Sequence, residues 1–365
     1  MFLVRLEGIG MLHLIHYIKN NPNWEIDLTK KPHCLTVKRD DDFILFSYSQ
    51  IESDFYNPIV REARGIILNA DFSPVCVPFY KFGNYGEGYA DKIDWNTVVV
   101  QEKVDGSLIK VWNYKSEWHV STNGTIDAKK CELPTDVAGY KTFYDLFRVA
   151  AENSGLDISL LDPDYTYMFE LISPYNRVVV PYKEIKLIHI GARNIKTLEE
   201  CNLDIGIEKP KVYAMKSLED CIQLAKELPY DQEGYVVVDK DWRRIKIKSA
   251  AYVAIHHLKC NLITSARIIE LIRTNESDEF VTYFPEYTDI FNSYKNRIND
   301  FIESFDNTTD ALKDRVFADR KEFANFALAT KCPAFYFNWY DGKLSSMKEW
   351  LWNQSNDRIL KLIGE

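Results

Sequence analysis

The chain has 365 residues, 46% apolar and 27% charged, which suits one large plus one smaller globular domain and argues against disorder. A formal net charge of −9 excludes a protein coated in basic residues, so any nucleic-acid site must be a local cationic groove in an acidic body. Seven dispersed cysteines without CxxC spacing argue against a zinc site or disulfides, and no run of about 18 apolar residues offers a membrane span. A reducing, cytoplasmic setting is expected, a host cell's if the source is viral.

The opening "MFLVRLEGIGMLHLIHYIKNNP" is interrupted by His13, His16 and Lys19 and reads as an amphipathic helix rather than a signal peptide. From there to about residue 250 short β-patterned runs dominate. They are "FILFSYS" (43–49), "RGIILN" (64–69), "NTVVVQEKV" (96–104), "SLIKVWNY" (107–114), "EWHVST" (117–122), "YTYMFELI" (165–172), "NRVVVPY" (176–182), "IKLIHIGAR" (185–193) and "EGYVVVDK" (233–240). Two helical patterns lie between them, 142–155 and 217–228, the second opening on Ser217 with Asp220 three residues on, an N-cap signature. After Ser249 the texture changes to four segments with apolar residues at three-to-four spacing. The expected fold is therefore α+β, an antiparallel-rich body over 1–250 followed by an all-helical domain over 251–365, with the boundary near 249–252.

The stretch "QEKVDGSLIKVW" (101–112) places Lys103 two residues before an Asp-Gly pair. Lysine is usually a solvated charge and Asp-Gly a hairpin turn. Phosphoryl chemistry at a lysine, however, needs several parts together: an amine depressed in pKa, cationic partners for the phosphate charge, carboxylates for a divalent metal, and groups that fix the nucleotide. In "EGYVVVDKDWRRIKIKS", strands 233–239 and 243–249 form a hairpin, and period-two alternation puts Lys246 and Lys248 on one face. An exposed strand edge guarded by lysines explains that pair, taken alone, equally well. Glu170 interrupts the apolar "YMFELIS" and Glu233 opens the hairpin; such carboxylates need cationic partners, in a site or in a structural ion pair. "REARGIILN" puts Arg64 beside a permissive glycine, and "FYKFGNYGE" puts Lys81 and Phe82 in a Gly-Asn loop.

The ordered series Arg-Gly, Lys-Phe-x-Asn, Lys-x-Asp-Gly, Phe-Glu, Glu-Gly-Tyr-Val, Lys-x-Lys resembles the covalent nucleotidyltransferases: RNA ligases, DNA ligases and capping enzymes. "EARGIILN", "KFGNYGE" and "ELISPYNRVVVPY" most resemble the phage-type RNA ligase 1 family, over about residues 40–250. The resemblance implies an ATP-grasp-like nucleotidyltransferase domain in the first 250 residues and a helical substrate-specificity domain after it. It implies an ATP-dependent, Mg²⁺-dependent RNA ligase with lysyl-AMP and 5′-adenylylated RNA intermediates. The partner would be RNA carrying a 5′-phosphate and a 3′-hydroxyl, nicked tRNA being the family's suggestion; no membrane is involved and a monomer is expected.

In that scheme Lys103 is the nucleophile and Asp105-Gly106 the turn that presents it beneath the nucleotide. Lys246 and Lys248 bind the α-phosphate and depress the Lys103 amine, and Arg64 and Lys81 touch the nucleotide or pyrophosphate. Glu170 holds the ribose, Glu233 helps hold Mg²⁺, Phe82 offers a stacking or packing surface, and Tyr48 contacts the nucleotide, a core tyrosine being the equal alternative. Asp278 and Glu279 fall near a further acidic pair of the family and are metal candidates, although acids opening or capping a helix are the commoner explanation. One departure is "STNGTI", where relatives often carry a basic residue and this chain has Asn123.

DNA ligases and guanylyltransferases are the alternative, but their OB fold would show as short alternating strands where this chain reads helical. An inactive RNA-binding scaffold would have no use for Lys103, and a Schiff-base enzyme lacks its framework.

Overall fold

A computed structural model describes residues 11–137, 139–257, 264–313, 315, 317–344 and 346–364. The chain divides into two units, Met1–Lys259 and Cys260–Glu365. The first opens with α1 (His13–Asn20) and α2 (Trp24–Leu28); residues 1–10 of the apolar opening lie outside the described residues. Leu14, Ile15 and Ile18 bury one face of α1, and the free N–H groups of His13 and Leu14 donate to the Glu62 carboxylate at 3.0 and 2.8 Å. Burial pushes that carboxyl up to about 7, against the pull of those two backbone donors.

Strands β1 (Leu35–Asp40) and β2 (Phe43–Tyr48), the short α3 (Pro58–Glu62), β3 (Arg64–Asn69) and β4 (Pro74–Cys76) follow, and the four strands form an antiparallel sheet in sequence order. The chain then gives β5 (Val99–Glu102), β6 (Ser107–Tyr114), β7 (Glu117–Thr122) and the hairpin of β8 (Glu132–Val137) and β9 (Tyr140–Thr142). After α4 (Phe143–Ser154) come β10 (Tyr165–Ile172), β11 (Lys186–Asn194), β12 (Glu200–Cys201) and β13 (Val212–Tyr213). Helix α5 (Leu218–Glu227), β14 (Gly234–Val238), β15 (Arg244–Lys248) and α6 (Ala250–His257) complete the unit. A five-stranded sheet runs β12-β11-β10-β6-β7 and a four-stranded one β13-β5-β14-β15, all neighbours antiparallel. Both helical patterns of the body appear with the caps their sequences encode: Thr142 and Asp145 form a capping box on α4, and Ser217 accepts from the Asp220 N–H on α5.

One expected strand is absent. "NRVVVPY" (176–182) is a loop, because the Val179 and Val180 N–H groups donate to the Asp105 carboxylate rather than to a neighbouring strand. The division between units also falls later than 250: α6 belongs with the body, where Tyr252 packs with Val179 and Val180 and its hydroxyl donates to Asp105.

In the second unit every regular element among the described residues is helical: α7 (Ser265–Arg273), α8 (Ser277–Tyr283), α9 (Thr288–Lys313), α10 (Arg320–Leu328), α11 (Pro333–Tyr340), α12 (Met347–Trp352) and α13 (Asn356–Leu362), with one 3₁₀ turn at Pro285–Tyr287. Buried aromatics, Phe280, Phe291, Phe323 and Phe335 among them, hold it together. No described helix is long and apolar enough to cross a membrane.

Candidate active site

Strand β5 stops at Glu102, and the next residue continues along the ladder: the Lys103 N–H donates to the Gly234 carbonyl at 2.8 Å. Its amine lies 2.6 Å from Glu233 Oε2, and Lys248 Nζ lies 4.0 Å from Glu233 Oε1. Glu233 is buried whereas the Lys103 side chain keeps 20% exposure, enough for a ligand to reach it. Opposite Lys248 in the ladder stands Gly234, and opposite Lys246 stands Val236, so the two-residue period carries both lysines to the Lys103 side of the sheet.

The loop 81–85 docks on β15 as a further backbone partner. Lys246 N–H donates to Gly83 O at 3.0 Å and Tyr85 N–H to Lys246 O at 2.7 Å. That docking delivers Lys81 and Phe82. Lys246 Nζ sits 4.9 Å over the Phe82 ring, and the Arg64 guanidinium lies 5.2 Å from the same ring. Lys81, itself buried, points its amine at the rings of Phe55 (4.8 Å) and Tyr48 (5.3 Å). Five cations therefore converge. Burial, then the charges of Lys81, Lys103, Lys248 and Arg64, drive the Lys246 amine well below the ordinary lysine range.

Glu170 on β10 lies in the same field. Burial pushes its carboxyl up to about 7; Lys103 and Arg64 pull it down while Glu233 and Asp105 push it up. Gly106 lies against β10 so closely that a Cβ there would meet the Leu171 carbonyl oxygen at 2.6 Å and Glu170 Cγ at 3.0 Å. Close approach, rather than an unusual φ, is what this glycine supplies.

Asp105 opens the pair expected to present Lys103. Its carboxylate is occupied by the protein: Oδ2 accepts from Val179 and Val180 N–H at 2.9 and 2.7 Å, and Oδ1 accepts from the Tyr252 hydroxyl at 3.0 Å. Its own N–H donates to the Tyr182 hydroxyl at 3.3 Å. Asp105 thus anchors the segment after Lys103 to the 176–182 loop and to α6.

Asp278 and Glu279 stand in the first turn of α8 in the second unit, where Asp278 pairs with Lys295 and Glu279 is buried. They favour the helix N-terminus. Among the described residues no group of three or more His, Cys, Asp or Glu could hold a metal ion. Asn123 Oδ1 and Arg64 Nη1 are buried and have no hydrogen-bond partner among the described residues, an acceptor and a donor left for a ligand. Sequence reasoning missed Tyr182, Tyr252 and the fully buried Lys110. The last had a signal, a lysine two residues before Trp112 on the same face of an apolar strand.

A family model described as RNA ligase matches residues 62–252, more than half of the chain and nearly all of this constellation. The chain belongs to the RNA ligase family, of the phage-type RNA ligase 1 kind. The RNA ligase of Rhodothermus phage RM378 is 24% identical over 92% of this chain and 94% of its own length. A protein of Autographa californica nuclear polyhedrosis virus, named as a bifunctional polynucleotide kinase/RNA ligase, is 31% identical over 71% of this chain; the chain spans 40% of that relative. Among solved structures, an archaeal ATP-dependent RNA ligase superposes loosely, with a TM-score of 0.41 and 12% identity over 88% of this chain and 95% of that one.

Proposed function

We propose that this RNA ligase family member joins RNA ends through a covalent lysyl-AMP on Lys103, using ATP. The observation that carries the reading is the convergence of Lys103, Glu233, Lys246 and Lys248 on one face, with Arg64, Lys81 and Glu170 in the same field. Cations of this density suit the triphosphate and the charge that spreads over a transferring phosphoryl group.

In the first step the uncharged Lys103 amine attacks the α-phosphorus of ATP: a P–N bond forms, the bond to pyrophosphate breaks, and the amine's proton leaves, with Glu233 at 2.6 Å the acceptor at hand. The AMP then passes to the 5′-phosphate of an RNA end, breaking P–N and forming a 5′-5′ pyrophosphate link. A 3′-hydroxyl attacks that activated phosphate, the phosphodiester forms and AMP leaves. Lys246 and Lys248 hold the α-phosphate, Arg64 and Lys81 the β- and γ-phosphates, Glu170 the ribose, and Phe82 and Tyr48 wall the nucleotide.

The residues present fit Mg²⁺ in the manner usual for nucleotide sites, one or two carboxylates completed by phosphate oxygens and water. Glu233 and Glu170 would supply them, and a divalent cation would relieve the repulsion from Glu233 that adds to burial in raising Glu170. Bound there, Mg²⁺ would neutralise phosphate charge and ease the departure of pyrophosphate.

The test is incubation with α-labelled ATP and Mg²⁺. Covalent label is expected, acid-labile and alkali-stable as a phosphoramidate is, and lost on chelation of the metal and in Lys103→Ala. The same variant should still join pre-adenylylated RNA in part, since only the first step uses the amine. A protein that takes no label with any nucleoside triphosphate contradicts the proposal. Nicked tRNA as the natural substrate, a monomeric state and a cytoplasmic location are parts of the same proposal.

A further inference from the structure

Lys110, in the middle of β6, is fully buried. An amine in such a place is costly, and here it also faces the like charge of Arg64 from β3, with burial as the main force lowering its pKa and the Cys76 thiol of β4 opposing. A leucine or methionine would fill the space without that penalty.

What the amine supplies is a hydrogen bond to the Gly65 carbonyl. The pairing of β2 with β3 shows why that carbonyl needs it. Phe46 faces Ile66 and Ser47 faces Arg64, so Gly65 is the extra residue of a β-bulge, and its φ of +73° is the left-handed conformation such bulges use. A Cβ at Gly65 would collide with the Asn123 carbonyl oxygen and come within 2.9 Å of Lys110 Nζ, so the bulge is packed directly against the lysine and against the backbone of Asn123 just past β7. A bulge re-aims the side chain beside it. That side chain is Arg64, whose buried Nη1 has no partner among the described residues and whose guanidinium lies over Phe82 beside Lys246.

We propose that Lys110 is a positioning residue: by holding the Gly65 carbonyl it fixes the bulge that aims the Arg64 guanidinium at the phosphates of the bound nucleotide. The inference rests on the ligase reading above, in which Arg64 meets the nucleotide.

The test combines Lys110→Met, Lys110→Gln, Arg64→Ala and the double variant Lys110→Met with Arg64→Ala, read by thermal unfolding and by the ATP dependence of self-adenylylation. Lys110→Met should keep or raise the unfolding temperature while its kcat/KM for ATP falls by roughly tenfold to a hundredfold, the range a displaced binding group produces. Lys110→Gln, which restores an N–H donor, should recover part of the loss. In the Arg64→Ala background Lys110→Met should add almost nothing, because the lysine acts through the arginine. Unchanged kcat/KM in Lys110→Met, losses that multiply in the double variant, or a glutamine variant no better than the methionine one would each overturn the proposal. Failure of the unsubstituted protein to take label would instead remove the ligase reading, and this inference with it.

Discussion

Asp105 offers a test whose size follows from geometry. Its carboxylate receives two backbone N–H groups, from Val179 and Val180, and the Tyr252 hydroxyl, all at 3.0 Å or less. Hydrogen bonds to a charged group contribute about 1.5–3 kcal/mol each, and a buried donor left without an acceptor costs about 1–3 kcal/mol. Asp105→Ala strands both amides while the phenol can turn elsewhere, so the expected loss is about 3–6 kcal/mol, a large share of a domain's ordinary stability. Asp105→Asn can keep its oxygen on the two amides and offer its NH₂ to the phenol oxygen, losing chiefly the charge assistance, about 1–2 kcal/mol. Urea unfolding of the full chain followed by tryptophan fluorescence would give both values. Both variants should also label more slowly with ATP, since the segment after Lys103 loses its anchor. Equal losses in the two variants, or a loss below about 1 kcal/mol in Asp105→Ala, would refute the view of Asp105 as a satisfied hub.

Two further outcomes follow from the same region. Glu170 is raised from about 4.5 when unfolded to about 7 when folded, so the folded state binds the extra proton and its stability falls as pH rises through that window. A pKa difference of one corresponds to about 1.4 kcal/mol, which sets the upper bound at about 3 kcal/mol. Glu170→Gln in nucleotide-free protein should therefore gain on the parent between pH 5 and pH 8, and a gap that does not widen with pH would contradict the assignment. Gly106→Ala would drive a methyl to 2.6 Å from the Leu171 carbonyl oxygen, a backbone atom in β10 that cannot swing away. A loss of about 1–3 kcal/mol and slower labelling are expected, and an unchanged unfolding temperature would show that β6 yields more easily than its packing implies.

Much of the body is legible in the sequence because alternation and turn residues fix strands locally. "RGIILN", "SLIKVWNY", "EWHVST" and "YTYMFELI" coincide with β3, β6, β7 and β10. The co-facing of Lys246 and Lys248 follows from period two alone. "NRVVVPY" misleads because β-branched residues favour extended backbone whether or not a strand lies alongside, and the acceptor of its N–H groups is Asp105, some 75 residues earlier. The helical segments merge for a related reason: "SSMKEWLWNQSNDRILKLIG" carries one periodic pattern, yet Ser346 and Ser355 each cap a separate helix. Tertiary facts are the ones that stayed hidden. The depression of the Lys246 amine depends on its burial among other cations, and the roles of Lys110 and Tyr252 depend on partners far away in the sequence.

That field also frames the most direct measurement. Lys103 and Lys248 lie 2.6 and 4.0 Å from Glu233, and the charges of both bear on the depressed Lys246 amine, so three lysines compete for the proposed role. Peptide mapping by mass spectrometry of protein incubated with ATP and Mg²⁺ identifies which lysine forms the bond. The account predicts AMP on the peptide containing Lys103 and nowhere else; AMP on Lys246 or Lys248, or its persistence in Lys103→Ala, would contradict it.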